Sequence, residues 1–90
     1  MTVRFDPEFY TKLKKLDVRI RKSFKERILL FSANPSSPLL RNHVLQREYS
    51  GYRSIDITAD YRAIYQEKLE GTETVAYFVL IGTHEELYGT

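Results

Sequence analysis

His84 sits in Thr83-His84-Glu85-Glu86, a pattern in which the threonine hydroxyl reaches forward to the amide of Glu86 and the Glu86 carboxylate reaches back. A short helical turn starts there, and spacing of four puts Tyr88 on the same side as His84. An imidazole beside a phenol ring at a helix N-terminus suits a phosphate and a nucleobase, because free amides bind anions and aromatic faces stack on bases. The bland rival is a capped terminal turn whose Leu87 and Tyr88 merely cover the core. A second concentration of polar groups lies in residues 51–65, GYRSIDITADYRAIY, where Arg53, Asp56, Asp60, Tyr61 and Arg62 stand among strand-forming residues. His43 precedes that stretch by eight residues. A histidine with a pKa of about 6.5 can serve as acid or base at neutral pH, and such groups typically contribute about 10²–10⁴-fold each.

Each of these side chains has an ordinary explanation too. Asp60 could bond its own backbone in a turn. Arg62 could pair across strands with Asp56 or a glutamate, Asp56 could be a surface strand residue, and His43 a loop histidine. A metal site built from His43, His84, Asp56 and Asp60 has no short ligand spacing behind it, so no metal or other cofactor is expected.

The elements that must position these groups follow from periodicity. Val3 to Phe5 reads as a first strand, and Asp6-Pro7 as an N-cap followed by the first helical position. Phe9, Leu13, Leu16 and Ile20 repeat at helical spacing. Asp17 caps again, and Ile20, Phe24, Ile28 and Phe31 carry the stripe to Ala33 before Asn34-Pro35 ends it. The pattern predicts a helical hairpin over roughly 7–16 and 18–33. Residues 34–50 lack clear periodicity and read as a long ordered loop, since Leu39, Leu40, Val44 and Leu45 must pack. Alternation then puts Ile55 and Ile57 on one strand face and Ser54, Asp56 and Thr58 on the other. After a turn at Thr58, Ala59 and Asp60, residues 61–66 alternate again, with Tyr61, Ala63 and Tyr65 opposite Arg62, Ile64 and Gln66. Beyond a turn near Glu70-Gly71, residues 74–81 have the composition of a central strand, with Val75, Tyr77, Val79 and Ile81 alternating with Ala76, Phe78 and Leu80.

Ninety residues bound this to one domain, 1–90, with a single core. There is no cysteine, so no disulfide framework and no thiolate metal site. The first residues lack a signal-peptide pattern and no apolar run is long enough to span a bilayer, so a soluble, cytoplasmic protein is expected. Net charge is +2, unevenly spread: residues 1–30 hold nine Lys or Arg against four acids, residues 31–90 five against eight. Lys12, Lys14, Lys15, Arg19, Arg21, Lys22, Lys25 and Arg27 are either a phosphate-attracting face or the solvated side of amphipathic helices.

The order strand, helical hairpin, loop, three antiparallel strands, together with GYRSIDITADYRAIY and the terminal IGTHEELYG, resembles the RelE/ParE superfamily of bacterial type II toxins, and within it the YafQ-like branch. The resemblance implies an α+β fold in which the antiparallel run completes a twisted sheet. It implies a ribosome-dependent endoribonuclease, an mRNA interferase that cuts messenger RNA in the A site without a metal. It also implies an antitoxin partner in a toxin–antitoxin hetero-oligomer, docked on an apolar groove between hairpin and sheet. His43 matches the family's loop histidine ahead of Gly51-Tyr52-Arg53. Asp60 matches its acidic turn residue, Tyr61 the aromatic after it, and Gly82-Thr83-His84 with Tyr88 its C-terminal motif. Two positions depart: Asp56 stands where YafQ-like toxins carry a second histidine, and Leu80 where they carry an arginine.

Metal-free RNA cleavage needs a base for the 2′-hydroxyl proton, an acid for the departing 5′-oxygen and a cation for the charge on phosphorus. On this resemblance His84 is the expected general acid, Asp60 or His43 the base or orienting group, and Arg62 the replacement cation. Tyr88 is the expected stacking platform, with Tyr61, Arg53 and Asp56 as further substrate-binding residues. The competing expectation is a ParE-like protein that binds DNA gyrase and catalyses nothing. A decayed toxin that retains only antitoxin binding is the third.

Overall fold

Asp6 accepts the amide of Glu8 at 3.0 Å and Pro7 opens α1, Pro7–Lys15. Asp17 accepts the amide of Arg19 at 2.7 Å and opens α2, Val18–Ala33. Both caps satisfy amides that have no partner inside their helix. The remaining elements of the computed structural model, which describes residues 1–89, are β1 (Thr2–Phe5), β2 (His43–Val44), β3 (Arg53–Asp56), β4 (Tyr61–Glu70), β5 (Glu73–Thr83) and α3 (His84–Tyr88). Short 3-10 turns lie at Pro38–Leu40 and Arg47–Tyr49. The five strands run in the order β1-β5-β4-β3-β2, with β1 parallel to β5 and every other pair antiparallel.

The hairpin closes directly on one sheet face. Phe9, Phe24 and Phe31 bury against Ile55, Ala63, Tyr65, Ala76, Phe78 and Ile81. Ring centroids of Phe31 lie 5.0 Å from Tyr65 and 5.5 Å from Phe78, edge to face in both cases. Buried aromatics of this kind supply much of a small domain's apolar area, and such pairs add about 0.5–1.5 kcal/mol each. The expected docking groove between hairpin and sheet is therefore filled by the protein's own core.

Three expectations change. Residues 34–50 are not all loop: His43 and Val44 pair with Ser54 and Arg53 as a two-residue edge strand. Strands β4 and β5 run longer than read, because they form one hairpin joined at Gly71, whose φ of +66° suits glycine. The alternation of β5 is also interrupted. Ile64 pairs with Leu80 but Tyr65 with Phe78, so Val79 is an extra residue at a bulge. The bulge moves Ile81 to the helix side with Ala76 and Phe78, and leaves Leu80 on the opposite face. No helix is long and apolar enough to cross a membrane among the described residues.

Candidate functional site

The turn between β3 and β4 is held by Thr58, whose hydroxyl oxygen accepts the amides of Asp60 at 3.3 Å and Tyr61 at 3.1 Å. The Asp60 carboxylate is not used for that purpose. Its backbone carbonyl accepts the amide of His84 at 3.0 Å, which joins the turn to the start of α3. There the capping box forms as read: Glu86 donates its amide to the Thr83 hydroxyl at 3.1 Å, and Thr83 donates its own to the Glu86 carboxylate at 2.8 Å. That amide, helped by Lys12, holds the Glu86 carboxyl below its ordinary value. Asp60, Tyr61 and His84 thereby line one open depression of about 370 Å³ with Ala59, Thr83 and Glu85.

Tyr88 arrives from the other end of α3. Its ring meets the His84 imidazole edge-on at 4.7 Å, and the Tyr49 ring at 5.7 Å on another side. Tyr49 donates its hydroxyl to the Leu87 carbonyl at 2.8 Å, so the 47–49 turn straps α3 in place. Sequence reasoning missed Tyr49, because nothing periodic marks the segment it comes from.

Arg62 is engaged through Nε and one terminal nitrogen. Its Nε meets the Asp56 carboxylate at 3.0 Å, and one terminal nitrogen donates to the carbonyls of Thr58, Ala59 and Tyr61 at 3.0, 3.0 and 3.1 Å. The register places Arg62 directly opposite Asp56 on the face away from the hairpin. The cross-strand pairing weighed in the sequence is thus what the chain adopts, and Arg62 clips the turn through these contacts. Asp56 has a second, looser cation in Arg41 at 3.6 Å, whose side chain is 76% exposed.

His43 lies on the same face, opposite Ser54. Its Nδ1 is 2.8 Å from the Arg41 carbonyl. A carbonyl only accepts, so Nδ1 carries the proton and Nε2 is left as the basic nitrogen. His43 and His84 are not brought together. Edge strand β2 and inner strand β5, which leads into His84, are three inter-strand steps apart, about 14 Å at the usual spacing. Arg53 faces the hairpin side, where its Nε donates to Asn42 at 2.9 Å and the Asn42 amide donates to the Tyr65 hydroxyl at 2.8 Å. Burial pushes the Tyr65 phenol up despite that bond. Leu80 is exposed on the face that carries Asp56 and Arg62. Among the described residues, no group of three His, Cys, Asp or Glu is placed to hold a metal ion.

A helical hairpin on one face of a five-stranded sheet, with a histidine-bearing turn after the last strand, is the fold of RelE/ParE toxins. Residues 3–88 match the model of the ParE toxin of the type II toxin–antitoxin system parDE, and the chain belongs to that family. No curated protein matches it. Solved structures do. The YoeB/ParE toxin from Agrobacterium tumefaciens is 21% identical, with 93% of this chain and 99% of that one covered and a TM-score of 0.73. YafQ from Escherichia coli BL21(DE3) is 24% identical over 97% of each chain, with a TM-score of 0.75. The E. coli DinJ–YafQ complex gives 24%, 97% of each chain and 0.62. The protein is a toxin of a type II toxin–antitoxin system.

Proposed function

We propose that this toxin is an endoribonuclease that cuts messenger RNA on the ribosome by transesterification through the 2′-hydroxyl. The observation that carries the reading is the depression whose wall His84, pinned by its amide to the Asp60 backbone carbonyl and edge-on to Tyr88, shares with Asp60. In this reaction Asp60 takes the 2′-hydroxyl proton and the freed oxygen attacks phosphorus. The bond from phosphorus to the 5′-oxygen breaks, and His84 gives that oxygen a proton. The products are a 2′,3′-cyclic phosphate and a 5′-hydroxyl end. Tyr88 and Tyr61 offer faces for the flanking bases. His43, with Nε2 basic, serves the neighbouring nucleotide instead of the same phosphate. Arg62 positions the turn, so the developing charge needs another cation. As the DinJ–YafQ complex pairs a toxin with an antitoxin, a cognate antitoxin holds this chain in a hetero-oligomer.

A second reading, non-enzymatic binding of DNA gyrase, is favoured by the match to the ParE model and by the engagement of Arg62 with Asp56. Purified ribosomes and a defined message separate the two. Primer extension is expected to map cuts at A-site codons for the wild type, reduced at least about 10²-fold by His84→Ala. A message left intact at every toxin concentration refutes the nuclease, and arrest of gyrase supercoiling in the same preparation then establishes the second reading.

A further inference from the structure

Of four well-formed surface cavities among the described residues, three are lined by carboxylates: Asp60 and Glu85 in one, Glu67 in another, Asp6, Glu8 and Glu48 in the third. The fourth, about 230 Å³, carries none. Its walls are Ser36, Ser37, Asn42 and the two arginines 41 and 53, with prolines 35 and 38 behind. Such a wall set supplies two guanidinium charges, two hydroxyls and an amide, with no carboxylate in the wall itself; the loose contact of Arg41 with Asp56 lies outside it. Guanidinium forks match phosphate oxygens in pairs.

Arg53 is held so that its charge is displayed and not consumed. Its Nε is fixed by the Asn42 side-chain oxygen at 2.9 Å, and Asn42 is itself fixed by donating to Pro35 at 3.1 Å and to Tyr65. Arg53 also hydrogen-bonds the Tyr65 phenol, so its partners here are neutral and no carboxylate shares this pocket with it. Among the described residues the Arg41 side chain is tied only through its weak contact with Asp56, at a backbone φ of +47° that a non-glycine residue rarely holds. Its carbonyl also orients His43. The pocket and the basic nitrogen of His43 therefore share one residue.

From this we infer that the pocket between Arg41 and Arg53 binds a backbone phosphodiester of single-stranded RNA that passes over the β2 edge of the sheet. The inference rests on the nuclease reading for its choice of ligand, but the pocket is tested by binding alone. A phosphate there anchors the strand away from the acidic depression at His84, where no Lys or Arg lines the wall. The acidic rim would repel RNA if nothing cationic held it nearby.

The test uses the full chain and a 2′-O-methyl octanucleotide, which cannot be cut, with fluorescence anisotropy over a salt series. Removing one phosphate contact from single-stranded RNA lowers the log–log salt slope by about 0.7, which is about fivefold in affinity at 0.1 M salt. Arg41→Gln and Arg53→Gln are each expected to show that loss, Arg53→Lys to recover most of it, and Arg19→Gln on α2 to show none. Inorganic phosphate should shift the backbone amide resonances of Ser36 and Ser37 in the wild type and not in Arg53→Gln. Unchanged affinity and slope in Arg41→Gln, whose side chain is too exposed to matter for folding, overturns the inference. So does loss of antitoxin affinity with RNA affinity intact, because the pocket would then take a carboxylate of the partner protein. Octanucleotide that binds through both arginines on a toxin that cuts nothing upholds the pocket and sinks only the nuclease; cutting unaffected by either arginine does the reverse.

Discussion

Replacing Arg62 with alanine separates its structural work from catalysis more sharply than any other substitution. Four contacts are lost at once: a carboxylate contact at 3.0 Å and three carbonyl contacts at 3.0–3.1 Å. Both side chains of the ion pair are 15% exposed, so solvent screens it only in part. What remains is Asp56 with one distant, exposed arginine, and three carbonyls returned to water. A hydrogen bond involving a charged group contributes about 1.5–3 kcal/mol, and removing one member of a fully buried pair costs about 3–5 kcal/mol. Residual exposure and the help of Arg41 bring the expectation to about 2–4 kcal/mol. A domain of this size has about 5–13 kcal/mol in all. Urea denaturation should therefore show a large fall in midpoint at constant slope, and the melting temperature should drop by roughly 10 °C or more. Arg62→Lys, which keeps the charge but not the fork, should recover less than half. If Arg62→Ala melts within 2 °C of the wild type while message cleavage disappears, the clip is wrong and Arg62 is the charge clamp that the family resemblance implied.

Two further outcomes follow from titrating groups. Burial raises the Tyr65 phenol, so the folded state keeps a proton that the unfolded chain gives up near pH 10; stability is whole below that and falls as pH rises beyond it. Tyr65→Phe should cost about 1 kcal/mol at pH 7 through the lost Asn42 bond and flatten the alkaline limb of a stability–pH curve. Glu86 has the opposite sense. Its carboxyl is depressed by the Thr83 amide and by Lys12, so that contribution is present above about pH 4.5 and disappears as acid protonates it. Glu86→Gln should remove that acid-dependent part and show faster amide exchange at residues 84–88, with the sheet unaffected.

The parts of the fold that were legible in the sequence are those written in short-range chemistry. Asp6-Pro7, Asp17 and Asn34-Pro35 state where the helices begin and end, and Thr83 with Glu86 states the capping box, because each involves residues within four positions. Edge strand β2 was not legible: two residues carry no period, and their pairing depends on β3 ten residues away. Nor was the bulge at Val79, which appears only when β4 is laid against β5. The site divides the same way. Asp60, Tyr61 and His84 meet because one short turn abuts one capped helix. Arg62 could be placed opposite Asp56 by alternation, but that it spends its donors on three carbonyls depends on the path of the turn. Arg41 and Tyr49 gave no signal, since both act from the segment whose course only the folded chain defines.

The pairing of β1 with β5 has a consequence in time. Residues 2–5 are made first, yet their strand partner is 75–78, and Asp6 donates its amide to Phe78. Phe9, Phe24 and Phe31 likewise wait for Phe78 and Ile81 before they can bury. At bacterial elongation rates of about 5–20 residues per second, roughly 4–14 s separate the two edges of that parallel pair. Through that interval the hairpin exists without the sheet that covers it, and neither the Asp60–His84 contact nor the depression can form. A nascent chain of this topology thus has no candidate site until its last strand is made, and meanwhile exposes an unfilled aromatic stripe to any partner already present.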